Sequence, residues 1–121
     1  MLNIQDLIEK AYKREEKYIT IKIEKMDGEI KLRVPFSEEI HEIRQKYKDY
    51  SMMASDLVYS SCVEPKLNDE KLIQHFKCKD NPCDVVDKIF GFDVKLGIAD
   101  ILLEENSKDI SKIEKMDTIK N

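Results

Sequence analysis

Glycine is scarce in this chain, three residues in 121, and no cluster of them could cradle a phosphate. Cysteine is as sparse, and its odd count of three, with no export signal, predicts reduced thiols and no disulfide framework. The opening MLNIQDLIEKAYKREE has neither the basic leader nor the apolar run of a secretory signal. No apolar stretch approaches the ~20 residues that cross a bilayer. A cytoplasmic protein with no membrane partner is expected. An excess of positive charge is missing too. With 21 basic and 25 acidic residues the net charge is −4, which gives no bias toward nucleic acid. Aromatic residues make up only 7%, so the core per residue is small.

What is abundant is charge, 38% against a typical ~25%, around a hydrophobic fraction of 41%. One domain is expected at this length, covering residues 1–105, with 106–121 a polar tail that is either a frayed helix or disordered. There is no internal repeat and no low-complexity linker. The patterning predicts an α+β fold, mainly α, with one N-terminal β-hairpin followed by a bundle of short helices.

The chain is organised around residues 54–91, which hold all three cysteines and two of the three prolines. Leu57, Val58, Ser61 and Cys62 share a helical face that Pro65 ends. Asn68 reads as the N-cap of a short helix carrying Leu72, Ile73 and Phe76. Asn81-Pro82 opens another helix with Val85, Val86, Ile89 and Phe90 on its apolar side, and Gly91 suits its C-terminal cap.

Ahead of this stretch, Ile4, Leu7, Ile8, Ala11 and Tyr12 follow a helical stripe over residues 3–16. From Lys17 the period becomes two. Ile19, Ile21 and Ile23, then Ile30, Leu32 and Val34, alternate with polar residues around Asp27-Gly28. With that dipeptide at the centre of a two-residue turn, Ile23 faces Leu32, Ile21 faces Val34 and Glu24 faces Lys31. Ser37 reads as the N-cap of a helix whose inner side is Ile40, Ile43, Tyr47 and Tyr50, with His41 off that stripe. A further helix carries Met53, Leu57 and Val58, the Met52-Met53 pair serving as adaptable packing. Beyond Gly91, Val94, Ile98, Ile101 and Leu102 give a stripe that Gly97 weakens.

Two chemistries present themselves. Cys62, His75, Cys78 and Cys83 could together hold a zinc ion, although their spacing lacks paired C-x2-C knuckles and Cys62 and Cys78 also fit apolar positions. Cys78 or Cys83 could act with His75 as a nucleophile, but no oxyanion hole or glycine-rich elbow accompanies them. The expectation is no metal, no cofactor, no catalytic residue and no enzyme.

The phrases Cys62-Val63-Glu64-Pro65, Leu67-Asn68-Asp69-Glu70-Lys71-Leu72 and Asp84-Val85-Val86-Asp87-Lys88-Ile89-Phe90 follow one another at defined spacing. A hairpin running into KLRVPFSEEIHEIRQKY precedes them. In this order the chain resembles, over about residues 17–103, the tail assembly chaperones of long-tailed bacteriophages, the PBSX-like prophage and contractile-tail group. The resemblance implies a small, α-rich, oligomer-forming protein of the bacterial host cytoplasm without catalytic residues. It implies binding to the tape measure protein, which stays soluble until tail tube protein polymerises around it. The alternative is a small intracellular interaction or regulatory module, with or without a stabilising zinc. A homo-oligomer is expected in either case, built through Ile4, Leu7, Ile8 and Tyr12 of the N-terminal helix and the hairpin rows of Lys22, Glu24, Lys31 and Arg33.

Overall fold

A computed structural model describes residues 1–108 and 113–116. The fold is α+β and mainly α, with a three-stranded antiparallel sheet near the N-terminus and helices after it. The chain opens with the short helix α1 (Ile4–Glu9), capped by a reciprocal pair of bonds between Asn3 and Asp6. An extended segment leads from it to strand β1 (Tyr18–Ile23), which pairs with β2 (Gly28–Arg33).

The hairpin has the expected faces in a different register. Ile21 lies opposite Ile30 and Ile19 opposite Leu32, while Ile23 meets Gly28. A 3-10 turn over Glu24–Met26 replaces the two-residue turn, and Asp27, at φ 48, takes the left-handed position expected to be shared with Gly28. Glu24 therefore does not face Lys31; Lys22 faces Glu29 instead. The slip is by an even number of residues, so every side chain keeps its side of the sheet. Ile23, Leu32 and Val34 are buried, and Ile19, Ile21 and Ile30 are half-buried against the same core.

Helix α2 (Ser37–Lys46) starts one residue earlier than expected, with Phe36 rather than Ser37 as its N-cap. Ser37 is its first residue, and Glu39 turns back to accept from the Phe36 N–H at 3.0 Å. Helix α3 (Tyr50–Ser61) is the centre of the fold, and each of its residues from Met53 to Val58 is buried. It packs mainly on α5 (Val85–Lys108). Between these helices lie β3 (Cys62–Glu64), α4 (Glu70–His75) and a 3-10 turn over Pro82–Asp84. Strand β3 was not expected. It pairs antiparallel with β2, bringing Cys62 opposite Leu32, so the sheet order is β1-β2-β3. Asp69, not Asn68, caps α4 by accepting from the Lys71 N–H at 2.8 Å.

Gly91 breaks α5 at φ 76, ψ 170, a backbone state open only to glycine. It stops the segment 85–90, as its sequence position predicts, and 92–108 continues in a new direction as one helix. The buried faces of both segments, Val85, Val86 and Phe90, then Ile98, Ala99 and Leu102, meet the inner side of α3 and the sheet in one core. Leu32, Leu57, Val58, Val85, Val86 and Leu102 are at most 1% exposed, and burying each contributes about 1.5–3 kcal/mol. Residue 106 is still helical, and Asn106 donates to the Pro35 carbonyl at 3.0 Å. Of the expected tail, residues 113–116 have no regular structure, and the rest past Lys108 lies outside the described residues.

Candidate interaction surface

The N-terminal arm is a part of the chain that its own fold leaves uncovered. Residues 3–16 were expected to be helical throughout, but the helix ends at Glu9 and none of its residues is buried. Ile4 is 74% exposed, Leu7 52%, Ile8 66% and Tyr12 77%. A six-residue helix is marginal on its own, so what holds α1 locally is its capping box.

The root of the arm is anchored, and that explains why the helix does not continue. The Arg14 guanidinium stacks on the Phe36 ring at 3.8 Å and reaches Glu39 at 3.5 Å. Arg33 approaches the same ring at 5.1 Å and forms a two-pronged bond to Glu39 at 2.7 and 2.9 Å. The Arg33 bond holds the Glu39 carboxyl below its ordinary range, although burial acts the other way. Lys17 pairs with Glu105 of α5 at 3.0 Å. Between the arm and the β2–α2 junction runs an open groove of about 980 Å3, walled by Tyr12, Lys13, Val34, Phe36 and Asn106 among others.

The hairpin residues expected to contribute to association are divided by β3. Lys22 and Glu24 are exposed, on β1 and the turn. Lys31 and Arg33 lie on the central strand and are half-buried, Lys31 standing 5.0 Å over the Tyr18 ring and Arg33 engaged with Glu39. Of the two hairpin edges, β3 covers one and β1 keeps the other.

The residues of the zinc reading do not come together. Among the described residues no three metal-ligating side chains form a group. The Cys62 thiol donates to the Pro65 carbonyl at 3.0 Å, and Cys78 to the Phe76 carbonyl at 3.4 Å. His75 is exposed and stands edge-on to Phe76. Burial pushes the Cys62 thiol up to about 11, and burial with the nearby Asp56 carboxylate does the same at Cys83. Neither is an activated nucleophile.

Two polar clusters were missed by sequence reasoning. Lys95 is 1% exposed, and its ammonium lies 2.8 Å from Asp87 Oδ1 and donates to Ser51 Oγ at 2.7 Å. Asp87 precedes the Gly91 break, Lys95 follows it and Ser51 belongs to α3, so the cluster clamps the broken helix onto its neighbour. The signal was present: Lys95 falls on the stripe of Ile98, Ala99 and Leu102, where a lysine needs an inward partner. In the second cluster, Asp56 accepts from Tyr47 at 2.8 Å and Ser60 at 3.0 Å. The Tyr47 hydroxyl is pushed up to about 12, chiefly by that bond.

These features define an α+β body with a pinned, apolar-tipped arm and a six-residue edge strand, β1. No protein-family model, curated protein or solved structure matches the chain. No helix among the described residues is long and apolar enough to cross a membrane.

Proposed function

We propose that this chain is a non-enzymatic tail assembly chaperone of a long-tailed bacteriophage or prophage. It binds the tape measure protein in the host cytoplasm and promotes assembly of the tail tube around it. The observation that carries this reading is the arm, where Ile4, Leu7, Ile8 and Tyr12 stand open together on one short segment. A tape measure protein is a long helix with apolar stripes that aggregate unless covered. A short amphipathic arm, held at its root by Arg14 and free at its tip, is suited to lie along such a stripe. Many copies on one long ligand turn weak contacts into strong overall binding, so homo-oligomerisation belongs to the same mechanism.

The phrases from Cys62 to Phe90 support the reading through their resemblance to the chaperone family. Five of their apolar positions, Cys62, Leu67, Val85, Val86 and Phe90, are core residues. The protonated thiols of Cys62 and Cys83 favour packing over chemistry. The gene neighbourhood tests the proposal. A tail tube gene just upstream and a very long coiled-coil gene downstream are expected. A neighbourhood of unrelated metabolic genes, repeated across every genome that carries the sequence, overturns it.

A further inference from the structure

We infer that two copies of this chain associate through the outer edge of β1, strand against strand and antiparallel, about a two-fold axis at Ile21. This inference rests on the self-associating chaperone reading and names the surface that the association uses. Strand β3 occupies the far side of β2, so among the described residues β1 is the six-residue strand with one side unpaired. The bond from the Val34 N–H to the Lys17 carbonyl, at 2.8 Å, sets the phase of the β1–β2 ladder. Ile19, Ile21 and Ile23 therefore direct their backbone groups at β2. Those of Tyr18, Thr20 and Lys22 point outward.

A second copy of the same strand completes this edge. Only registers that pair even-numbered with even-numbered residues bring the outward groups of both strands together, and the same registers keep the isoleucines on one side. With Ile21 on the axis, Ile19 faces Ile23 of the second copy and Ile21 faces its own counterpart. On the other side Thr20 faces Lys22 of the second copy, so no like charges stand opposed within the strand. The aliphatic row from Cys62 through Leu32 then runs on across the axis without a polar break. Burial favours this continuation. Leu32 on the central strand is fully buried, yet Ile19 and Ile21 on the same side are only half-buried at the open edge. The exposed Lys22 discourages pairing with unmatched strands while tolerating Thr20 opposite it.

The full-length chain, sized by light scattering, tests this, with Thr20→Pro as the main variant. The Thr20 N–H points away from β2, so proline there removes no bond of the hairpin. The parent is expected at twice the 14.3 kDa of one chain, and Thr20→Pro at the single mass with an unchanged circular dichroism spectrum. Under mild oxidation Ile21→Cys is expected to give a covalent dimer, and Ile19→Cys and the parent are not. If Thr20→Pro fails to fold, the Ile21→Cys result decides, and the absence of cross-linking overturns the inference. A dimer that survives Thr20→Pro but is lost in Leu7→Asp with Ile8→Asp also overturns it. In that case the arm carries the contact and the self-associating reading stands. A parent that runs as a monomer at high concentration overturns both.

Discussion

Removing the carboxylate of Asp87 should cost far more stability than removing the ammonium of Lys95, although both belong to one ion pair. Lys95 is 1% exposed and has Asp87 at 2.8 Å, the Ser51 hydroxyl at 2.7 Å and the Phe92 ring at 5.4 Å. Asp87→Ala leaves the ammonium inside with one neutral hydroxyl and one ring face. Breaking a buried pair from one side costs about 3–5 kcal/mol, because the surviving charge is left uncompensated. The Asp87 side chain is 44% exposed, so water can enter after its removal, and the lower end, about 3 kcal/mol, applies. Lys95→Met keeps the buried chain length and leaves Asp87 able to hydrate. Its cost is the net value of the pair, about 1 kcal/mol or less. Urea unfolding followed by circular dichroism separates the two. With a slope of about 1.5 kcal/mol/M, Asp87→Ala lowers the midpoint by roughly 2 M and Lys95→Met by well under 1 M. A Lys95→Met cost equal to or greater than that of Asp87→Ala would refute the argument. So would an Asp87→Ala cost within the scatter of ordinary surface changes.

Three further outcomes follow from the same geometry. Leu7→Asp with Ile8→Asp should leave the unfolding free energy within about 0.5 kcal/mol of the parent, since neither side chain is buried; unfolding of that variant would mean the stripe is core. Gly91→Ala should cost about 2 kcal/mol from its φ of 76 alone, because a methyl group there meets nothing within 4 Å; a neutral result in thermal melts would count against a fixed break. Iodoacetamide at pH 8 should label Cys62 and Cys83 slowly in the native protein and fast in denaturant, since both thiols are raised to about 11 and alkylation needs the thiolate; rapid native labelling at either contradicts the packing assigned to it.

The elements with a long period were legible in the sequence, and the short or locally overridden ones were not. Alternation over Ile19, Ile21 and Ile23 identified β1 and its inner face, but the turn was misassigned because Asp27-Gly28 matched a tighter hairpin than the 3-10 turn that forms. Strand β3 is three residues long, too short to show any period, and Pro65 after it read simply as a helix stop. The N-terminal stripe kept helical spacing to Tyr12. Without a surface beneath it, spacing could not prolong the helix past Glu9 once Arg14 and Lys17 tied the chain to Glu39 and Glu105. Of the candidate surface, Lys22 and Glu24 were identifiable in advance as solvent-facing, whereas the apolar arm stripe was expected to be covered, by the core or by a second copy. The burial of Arg33 was not identifiable, because it depends on Glu39 from the next helix and on the Phe36 ring before it.

The measurement that bears most directly on the proposed function is co-expression with the tape measure protein that the proposal expects a neighbouring gene to encode. The soluble fraction is then weighed by analytical ultracentrifugation. The account predicts that the tape measure protein, insoluble alone, becomes soluble in a complex holding many copies of this chain, and that Leu7→Asp with Ile8→Asp returns it to the pellet. A tape measure protein that aggregates equally with and without this chain would contradict the account.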